Sequence, residues 1–150
     1  HSGRSDSSVG SDLESALEAL PHGPSFRFVD EMVSLAPGSE AVGRYRVRGD
    51  EAFLGGHFPG NPIMPGVILL EAIAQLGGVL VQSDPEHAVM SDLRLTGVRK
   101  AKILGAAVPG DLLEIHVKLE GRLGAMAQVE GSVTGSNGLL ATARISLSGG

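Results

Sequence analysis

The chain has 150 residues, of which 42% are hydrophobic and 19% charged, an ordinary composition for a globular domain with its own core. A formal net charge of -5 argues against general nucleic-acid binding, which requires a basic surface. Cysteine is absent, which excludes disulfides, thiolate nucleophiles and cysteine metal sites and suits the cytoplasmic location that we predict.

The N-terminal segment predicts a polar leader followed by a short covering helix. Residues 1–10 contain no apolar stretch of the kind that a secretory signal needs, so we predict a disordered leader or an expression-tag remnant. Ser11 and Glu14 have the spacing of a capping box, and the apolar positions from Leu13 to Leu20 form one stripe. We therefore assign residues 11–150 to a single domain that begins with an amphipathic helix.

Two strands are predicted after this helix. Phe26–Leu35 and Glu40–Arg48 are rich in strand-forming residues, and Pro37-Gly38 is a turn signal between them. The second strand alternates clearly, which places three arginines on one face: Arg44, Arg46 and Arg48. Such a row is either the solvated side of an antiparallel sheet or a surface for an anionic partner, and the first interpretation is the more common.

The stretch Phe53–Gln82 combines a rigid loop with an apolar helix. The loop, F-L-G-G-H-F-P-G-N-P-I-M-P-G, contains prolines and glycines at a density that excludes a regular strand or helix. We predict a helix that begins at Pro65 or Gly66, because proline is favoured in a first helical turn, and that ends near Ser83. Apolar residues cover nearly all sides of this helix. We therefore expect it to be buried in a protein core; its polar residues argue against a membrane span.

Glu71 is the one formally charged side chain between Glu51 and Asp84. A buried carboxyl is costly unless it stays protonated or has a hydrogen-bond donor, and His57 in the preceding loop is the candidate partner. A base beside a neutral acid, with the free N–H groups of a helix start near Gly66, suits removal of water from a β-hydroxy carbonyl compound. From residue types alone, an alternative stays open in which His57 caps a turn and Glu71 is a satisfied core carboxylate.

The rest of the chain predicts further strands. They cover Val89–Lys100, Leu113–Glu120, Ala125–Thr134 and Leu139–Leu147, with turns at Val108–Asp111 and Ser136–Gly138. About six strands and one long buried helix, in this order, indicate an α+β domain in which an antiparallel sheet wraps around the helix. The five histidines lack metal-binding spacing, and no phosphate loop, dinucleotide loop or serine elbow is present, so we expect no metal and no redox cofactor.

Three stretches resemble one family. H-F-P-G-N-P-I-M-P-G-V (His57 to Val67), followed by L-E-A-I-A-Q (Leu70 to Gln75), resembles the signature of the β-hydroxyacyl-acyl carrier protein dehydratases of type II fatty acid synthesis, which have the hotdog fold. Leu20–Glu31 and Leu95–Asp111 are similar to two further segments of the same family. The resemblance covers residues 20–147 without large insertions.

The resemblance implies a role for each residue of the signature. His57 would take the C2 proton, Glu71 would protonate the departing hydroxyl, and the Gly66 N–H would bind the thioester carbonyl. We place Phe58, Pro65 and Gln75 with Gly66 in the oxyanion and substrate-binding part of the site. The family also implies a homodimer whose subunits share each active site, commonly assembled as a trimer of dimers.

The carrier of the substrate is less well defined, because Ile103–Ala106 replaces a segment that usually reads F-R-R-P. The loss of two positive charges leaves acyl carrier protein, a specialised carrier or coenzyme A as alternatives. Four cations remain nearby as candidate docking residues for an acidic carrier and its phosphopantetheine: Arg94, Arg99, Lys100 and Lys102. We predict a dehydratase that converts (3R)-3-hydroxyacyl thioesters into trans-2-enoyl thioesters; the alternatives are a hotdog thioesterase and a catalytically silent acyl-carrier or lipid-binding subunit.

Overall fold

The computed structural model describes residues 28–48, 66–85 and 93–149. These residues form an antiparallel sheet and one long helix, in the order that the sequence predicts. The elements are β1 (Glu31–Ala36), β2 (Glu40–Arg46), α1 (Gly66–Gln82), β3 (Arg94–Ile103), β4 (Leu112–Leu123), β5 (Met126–Gly135) and β6 (Gly138–Ser148). The predicted N-terminal helix and the loop that begins at Phe53 lie outside the described residues.

The six strands form one sheet in the order β1-β2-β4-β5-β6-β3, and every neighbouring pair is antiparallel. The predicted turns at Gly38 and Gly138 are present, with φ angles of 72° and 122° that suit glycine. The connection that contains α1 carries the chain from β2, near one edge, to β3 at the opposite edge. The helix therefore crosses one face of the sheet, and β1 and β3 are the edge strands of this sheet.

Alternating side chains determine which face of each strand lies against α1. In β4, Leu113, Ile115 and Val117 are buried. Glu114 and His116 lie between them on the outer face, as predicted. The strands β5 and β6 repeat this alternation. The sheet thus has one apolar face, and the helix covers it.

The bounds of α1 agree with the prediction, and the helix is largely buried. Its fully buried side chains are Leu69, Ala72, Ile73, Leu76 and Leu80. Burial of each large apolar side chain stabilises the fold by about 1.5–3 kcal/mol. The helix packs tightly on β5 at Gly131, where Ile73 occupies the space that a larger residue would need. In the described part of the chain, no helix is both long and apolar enough to cross a membrane.

The strand β3 differs most from its predicted bounds. The prediction ended this strand at Lys100, but β3 continues to Ile103. The extension passes through an irregularity between Arg99 and Lys102, where the pairing with β6 shifts register and Lys100 has a φ of 53°. Sequence alternation alone cannot anticipate such a bulge, because it breaks the period of two from which strands are predicted. The predicted start of the strand, residues 89–92, extends outside the described residues.

The arginines of β2 and the residues that follow it contact neighbouring parts of the fold. Arg44 lies 3.6 Å from the Glu114 carboxylate, and the Arg46 guanidinium donates a 2.9 Å hydrogen bond to the carbonyl of Gly110. Arg48 lies 3.7 Å from Asp30 and stacks over the Tyr45 ring at 5.5 Å. These contacts favour the interpretation of this face as the solvated side of the sheet.

Candidate active site

The carboxyl of Glu71 lies in the first turns of α1, half-buried on the side of the helix. Gln75 follows one turn later on the same face, because residues four apart are neighbours on a helix surface. The Gln75 Nε2 donates a hydrogen bond of 3.3 Å to Oε2 of Glu71. The sequence predicted that this carboxyl needs a donor, and Gln75 is one among the described residues. The predicted partner, His57, lies outside the described residues, so its contact with Glu71 stays a prediction.

Gln75 is the buried polar side chain within the described core, with 4% of its surface exposed. Its Oε1 accepts a 2.8 Å hydrogen bond from the backbone N–H of Phe28, which itself is fully buried. The predicted strand Phe26–Leu35 begins at Glu31, so the Phe28 N–H precedes the β1 ladder and bonds to the helix. Gln75 therefore joins the Glu71 carboxyl to the residues that precede β1.

Gly66 is the first residue of α1, and the edge strand β3 packs directly on it. A Cβ at Gly66 would lie 3.0 Å from Cγ2 of Ile103, so only glycine accepts this approach without movement. The backbone N–H of Gly66 lies at the positive end of the helix dipole, and the first helical turn contains no acidic residue. The sequence analysis did not identify Ile103 as a neighbour of the site. It noted Ile103–Ala106 only because this segment lacks the two arginines that the family usually has there.

The other predicted site residues are His57, Phe58 and Pro65, and they lie outside the described residues. Their roles stay predictions. Among the described side chains, no group of three or more histidines and carboxylates could hold a metal ion. The described part of the site thus consists of Glu71 and Gln75 on α1, the helix start at Gly66, and Ile103 on β3.

The predicted docking cations lie along the whole length of β3. Arg94, Arg99 and Lys102 pair with Ser148, Arg144 and Thr142 of β6, whose side chains are on the outer face of the sheet. Lys100 lies in the irregular segment between them. The six residues that separate Thr142 from Ser148 correspond to about 20 Å of strand. Lys102 therefore lies on the outer face next to Ile103, whose side chain approaches the start of α1 from the other face, whereas Arg94 lies at the far end of the strand.

The opposite end of α1 is held by an ion pair that sequence reasoning missed. Arg122 of β4 lies 4.0 Å from Asp84, and the two side chains are only 9% and 12% exposed. The Arg122 guanidinium also donates a 3.3 Å hydrogen bond to the carbonyl of Val81. An acidic residue at a helix C-terminus is unfavourable because of the helix dipole, so Arg122 offsets the charge of Asp84. No local pattern links residues so distant in sequence.

The titratable pair on the outer face lies away from this site. His116 Nε2 and Glu114 Oε1 are 3.0 Å apart, with both side chains exposed. The hydrogen bond from His116 holds the pKa of Glu114 below its ordinary value. His116 thus belongs to the solvated face of β4, as predicted.

Comparisons with a family model and with individual relatives point to the same family. Residues 20–144 match the model of the FabA-like domain family. The 3-hydroxyacyl-[acyl-carrier-protein] dehydratase FabZ of Herpetosiphon aurantiacus is 37% identical over 134 residues, which cover 85% of this chain and 94% of the relative. FabZ of Chloroflexus aggregans is 44% identical over 108 residues, covering 72% of this chain and 74% of the relative.

Solved structures share the fold at low sequence identity. A chain of the dehydratase heterocomplex ApeI:P from Xenorhabdus doucetiae has a TM-score of 0.75 and 20% identity, covering 92% of this chain and 90% of that chain. Zebrafish thioesterase superfamily member 2 has a TM-score of 0.69 and 15% identity, covering 95% of this chain and 96% of that chain. These similarities confirm the predicted hotdog fold class, and they show the fold alone.

Proposed function

Because the chain belongs to the FabA-like domain family, we infer that it is a 3-hydroxyacyl-[acyl-carrier-protein] dehydratase of fatty acid biosynthesis. It removes water from (3R)-3-hydroxyacyl thioesters and releases trans-2-enoyl thioesters. The observation that carries this proposal is the Glu71 carboxyl in the first turns of α1, held by Gln75 beside the helix start. A carboxylic acid in such a position can protonate a leaving hydroxyl.

The reaction needs a base, an acid and a site for the thioester oxygen. His57 takes the C2 proton, and negative charge develops on the thioester oxygen, which the Gly66 N–H and the dipole of α1 stabilise. Glu71 gives its proton to the C3 hydroxyl as the C3–O bond breaks. The C2–C3 double bond forms and one water leaves. Proton exchange with solvent then returns His57 and Glu71 to their starting states, without a metal or redox cofactor.

The proposed active unit is a homodimer with shared sites, and a trimer of dimers is its proposed larger assembly. The edge strand β3 supports the dimer, because its apolar side chains Leu95, Val98 and Ile103 are 36%, 41% and 49% exposed in the single chain. By their pairing with β6, these side chains point to the same face as the core. An edge strand of this composition suits pairing with a second copy. The proposed location is the cytoplasm.

The proposed partner that delivers the substrate is an acyl carrier protein, with coenzyme A as the alternative carrier. Lys102 lies on the outer face at the end of β3 that approaches the helix start, where it would attract the negative charge of a phosphopantetheine arm or of the carrier. In the segment that departs from the family pattern, Leu104 is 58% exposed in place of an arginine. We therefore expect carrier docking to depend less on charge here than in relatives with two arginines.

Hydration of a trans-2-enoyl thioester tests the proposed function in the reverse direction. The substrate is presented on acyl carrier protein and on coenzyme A, with enoyl absorbance and free thiol followed in one reaction. Loss of enoyl absorbance without thiol supports the dehydratase. Release of thiol would reassign the chain as a thioesterase, and neither signal with intact carrier binding would indicate a silent subunit. Comparison of the two carriers then identifies the preferred one.

A further inference from the structure

The edge strand β3 contains a strained bulge. In the described part of the chain, Lys100 is the one residue other than glycine with a positive φ, at 53°. Lys100 and Ala101 together lie opposite Ala143 of β6, because the pairing shifts by one residue between Arg99 and Lys102. A side chain at such a φ crowds its own backbone, so lysine adopts this conformation at a cost. Strain of this kind persists only where the surrounding structure imposes it.

The bulge decides which residues of β3 face the helix. Side chains alternate along a regular strand, so residues five apart face opposite sides. Val98 and Ile103 are five apart, yet they pair with Ile145 and Ala141, whose side chains are both buried on the core face. If β3 continued without the shift, Lys102 would face the core and Ile103 would face the solvent. The extra residue therefore turns Ile103 towards α1.

The side chain of Ile103 is seated against the start of α1. Its Cγ2, Cγ1 and Cδ1 atoms lie 3.0, 3.1 and 3.2 Å from the place that a Cβ of Gly66 would occupy. Directly after the strand, the N–H groups of Leu104 and Gly105 donate hydrogen bonds of 2.7 and 3.2 Å to the carbonyl of Leu140. The end of β3 is thus tied to β6, so the bulge cannot relax by sliding along the strand.

We propose that Ile103 is a positioning residue for the Gly66 N–H, and that the strained bulge at Lys100 serves to place Ile103 against it. This inference rests on the proposed dehydratase function, in which that N–H stabilises the developing oxyanion. Helix ends fray, and an apolar side chain packed on the first residue opposes this movement. The proposal gives Lys100 a backbone role, whereas the sequence suggested a docking cation.

Two other roles of the bulge predict different results. A bulge can limit the pairing of an edge strand with another chain, in which case changes at Lys100 would alter the oligomeric state. A docking cation acts through its charge, in which case every uncharged residue at this position would have the same effect. The positioning role depends instead on the φ angle that the substituted residue accepts.

Two matched pairs of variants separate these roles. Lys100→Gly and Lys100→Val both remove the cation, but glycine accepts a φ of 53° and a β-branched residue does not. The difference between them therefore reports on the backbone alone. Ile103→Ala removes the three carbon atoms nearest to Gly66, and Ile103→Val keeps two of them. All variants are assayed below their melting temperatures, with folding checked by circular dichroism and oligomeric state by light scattering.

We expect the kcat of Lys100→Val for enoyl hydration to be about 10-fold below that of Lys100→Gly, with KM values within about threefold, because the oxyanion donor is displaced and binding is not. Ile103→Ala should lie about three- to tenfold below Ile103→Val in kcat for the same reason. In an Ile103→Ala background, valine and glycine at position 100 should differ by less than about twofold. Equal kcat values for the two Lys100 variants would overturn the inference, as would a loss of kcat that accompanies a change of oligomeric state.

Hydrogen exchange tests the same contact without the reaction. The amide of Leu70 donates to the Gly66 carbonyl in a regular helix, so its exchange rate reports on opening of the helix start. We expect exchange about 10-fold faster in Ile103→Ala than in Ile103→Val, and likewise in Lys100→Val than in Lys100→Gly. Unchanged exchange in an active protein would overturn the inference alone. No hydration by the wild-type chain would instead overturn the proposed function, and the positioning role with it.

Discussion

A methyl group added by Gly66→Ala would stand where β3 meets the start of α1. The new Cβ would lie 3.0, 3.1 and 3.2 Å from Cγ2, Cγ1 and Cδ1 of Ile103. Carbon atoms prefer separations of about 3.5–4.0 Å, so Ile103 or the helix start must move by about 0.5 Å. Overpacking costs about 1–3 kcal/mol, and we expect the lower value because Ile103 is 49% exposed and can yield. A loss of about 1 kcal/mol lowers the Tm by about 2–4 °C.

The same displacement should reduce turnover more than stability. Donors to a developing oxyanion contribute about 100- to 1000-fold to kcat, so a Gly66 N–H shifted by half an ångström should lose about 10-fold. Ile103→Ala removes all three carbon atoms that the new methyl would meet. The double variant should therefore regain most of the lost kcat. The assay is hydration of an enoyl thioester, with thermal melts of both single variants and the double variant.

Two outcomes would refute this reasoning. If Gly66→Ala retained normal kcat while its Tm fell, the position of the Gly66 N–H would not matter for the reaction. If the double variant folded but remained as slow as Gly66→Ala, the methyl would act on the substrate and not through Ile103. Ile103→Ala alone supplies the baseline, since it opens space beside the helix start without adding an atom.

Three further experiments test the acid, the far end of α1 and the docking cations. Glu71→Gln should keep the fold and cut hydration by at least about 100-fold; near-normal turnover would remove Glu71 from the mechanism. Arg122→Met should lower stability by about 3 kcal/mol in urea unfolding, because Asp84 loses a buried cation, and adding Asp84→Asn should recover part of it. Lys102→Glu should raise KM for carrier-bound substrate about three- to tenfold, whereas Arg94→Glu, beyond a Debye length, should change it less; equal effects would argue against docking near Lys102.

The fold could be predicted in most respects because its signals are local. Alternation in β4, glycine turns between consecutive strands and the all-round apolar character of α1 each act over a few residues. The predicted helix therefore agrees with the observed Gly66–Gln82 at both ends. The position of β3 beside β6 does not follow from such signals, because it depends on how the chain crosses the sheet.

The site was predicted less completely, because its contacts join residues far apart in the chain. Glu71 and Gln75 are adjacent on a helix, so their proximity follows from spacing alone. The hydrogen bond from Phe28 to Gln75 and the approach of Ile103 to Gly66 have no such spacing, and both depend on tertiary packing. The bulge around Lys100 likewise has no sequence signal. Its positive φ falls on a lysine, a residue type that rarely adopts such an angle, so the sequence gives no reason to expect a bulge there.

The two ends of α1 are held in different ways, and this difference suits the proposed reaction. At its C-terminal end, the nearly buried Arg122 ties the helix to β4 through Asp84 and the Val81 carbonyl. At its N-terminal end, the helix start contacts the half-exposed Ile103 of an edge strand. Glu71 lies near this second end, and Gln75 links its carboxyl to the buried backbone N–H of Phe28. The proposed elimination of water needs its proton donor and its oxyanion donor in fixed positions, and both would lie at this end of the helix.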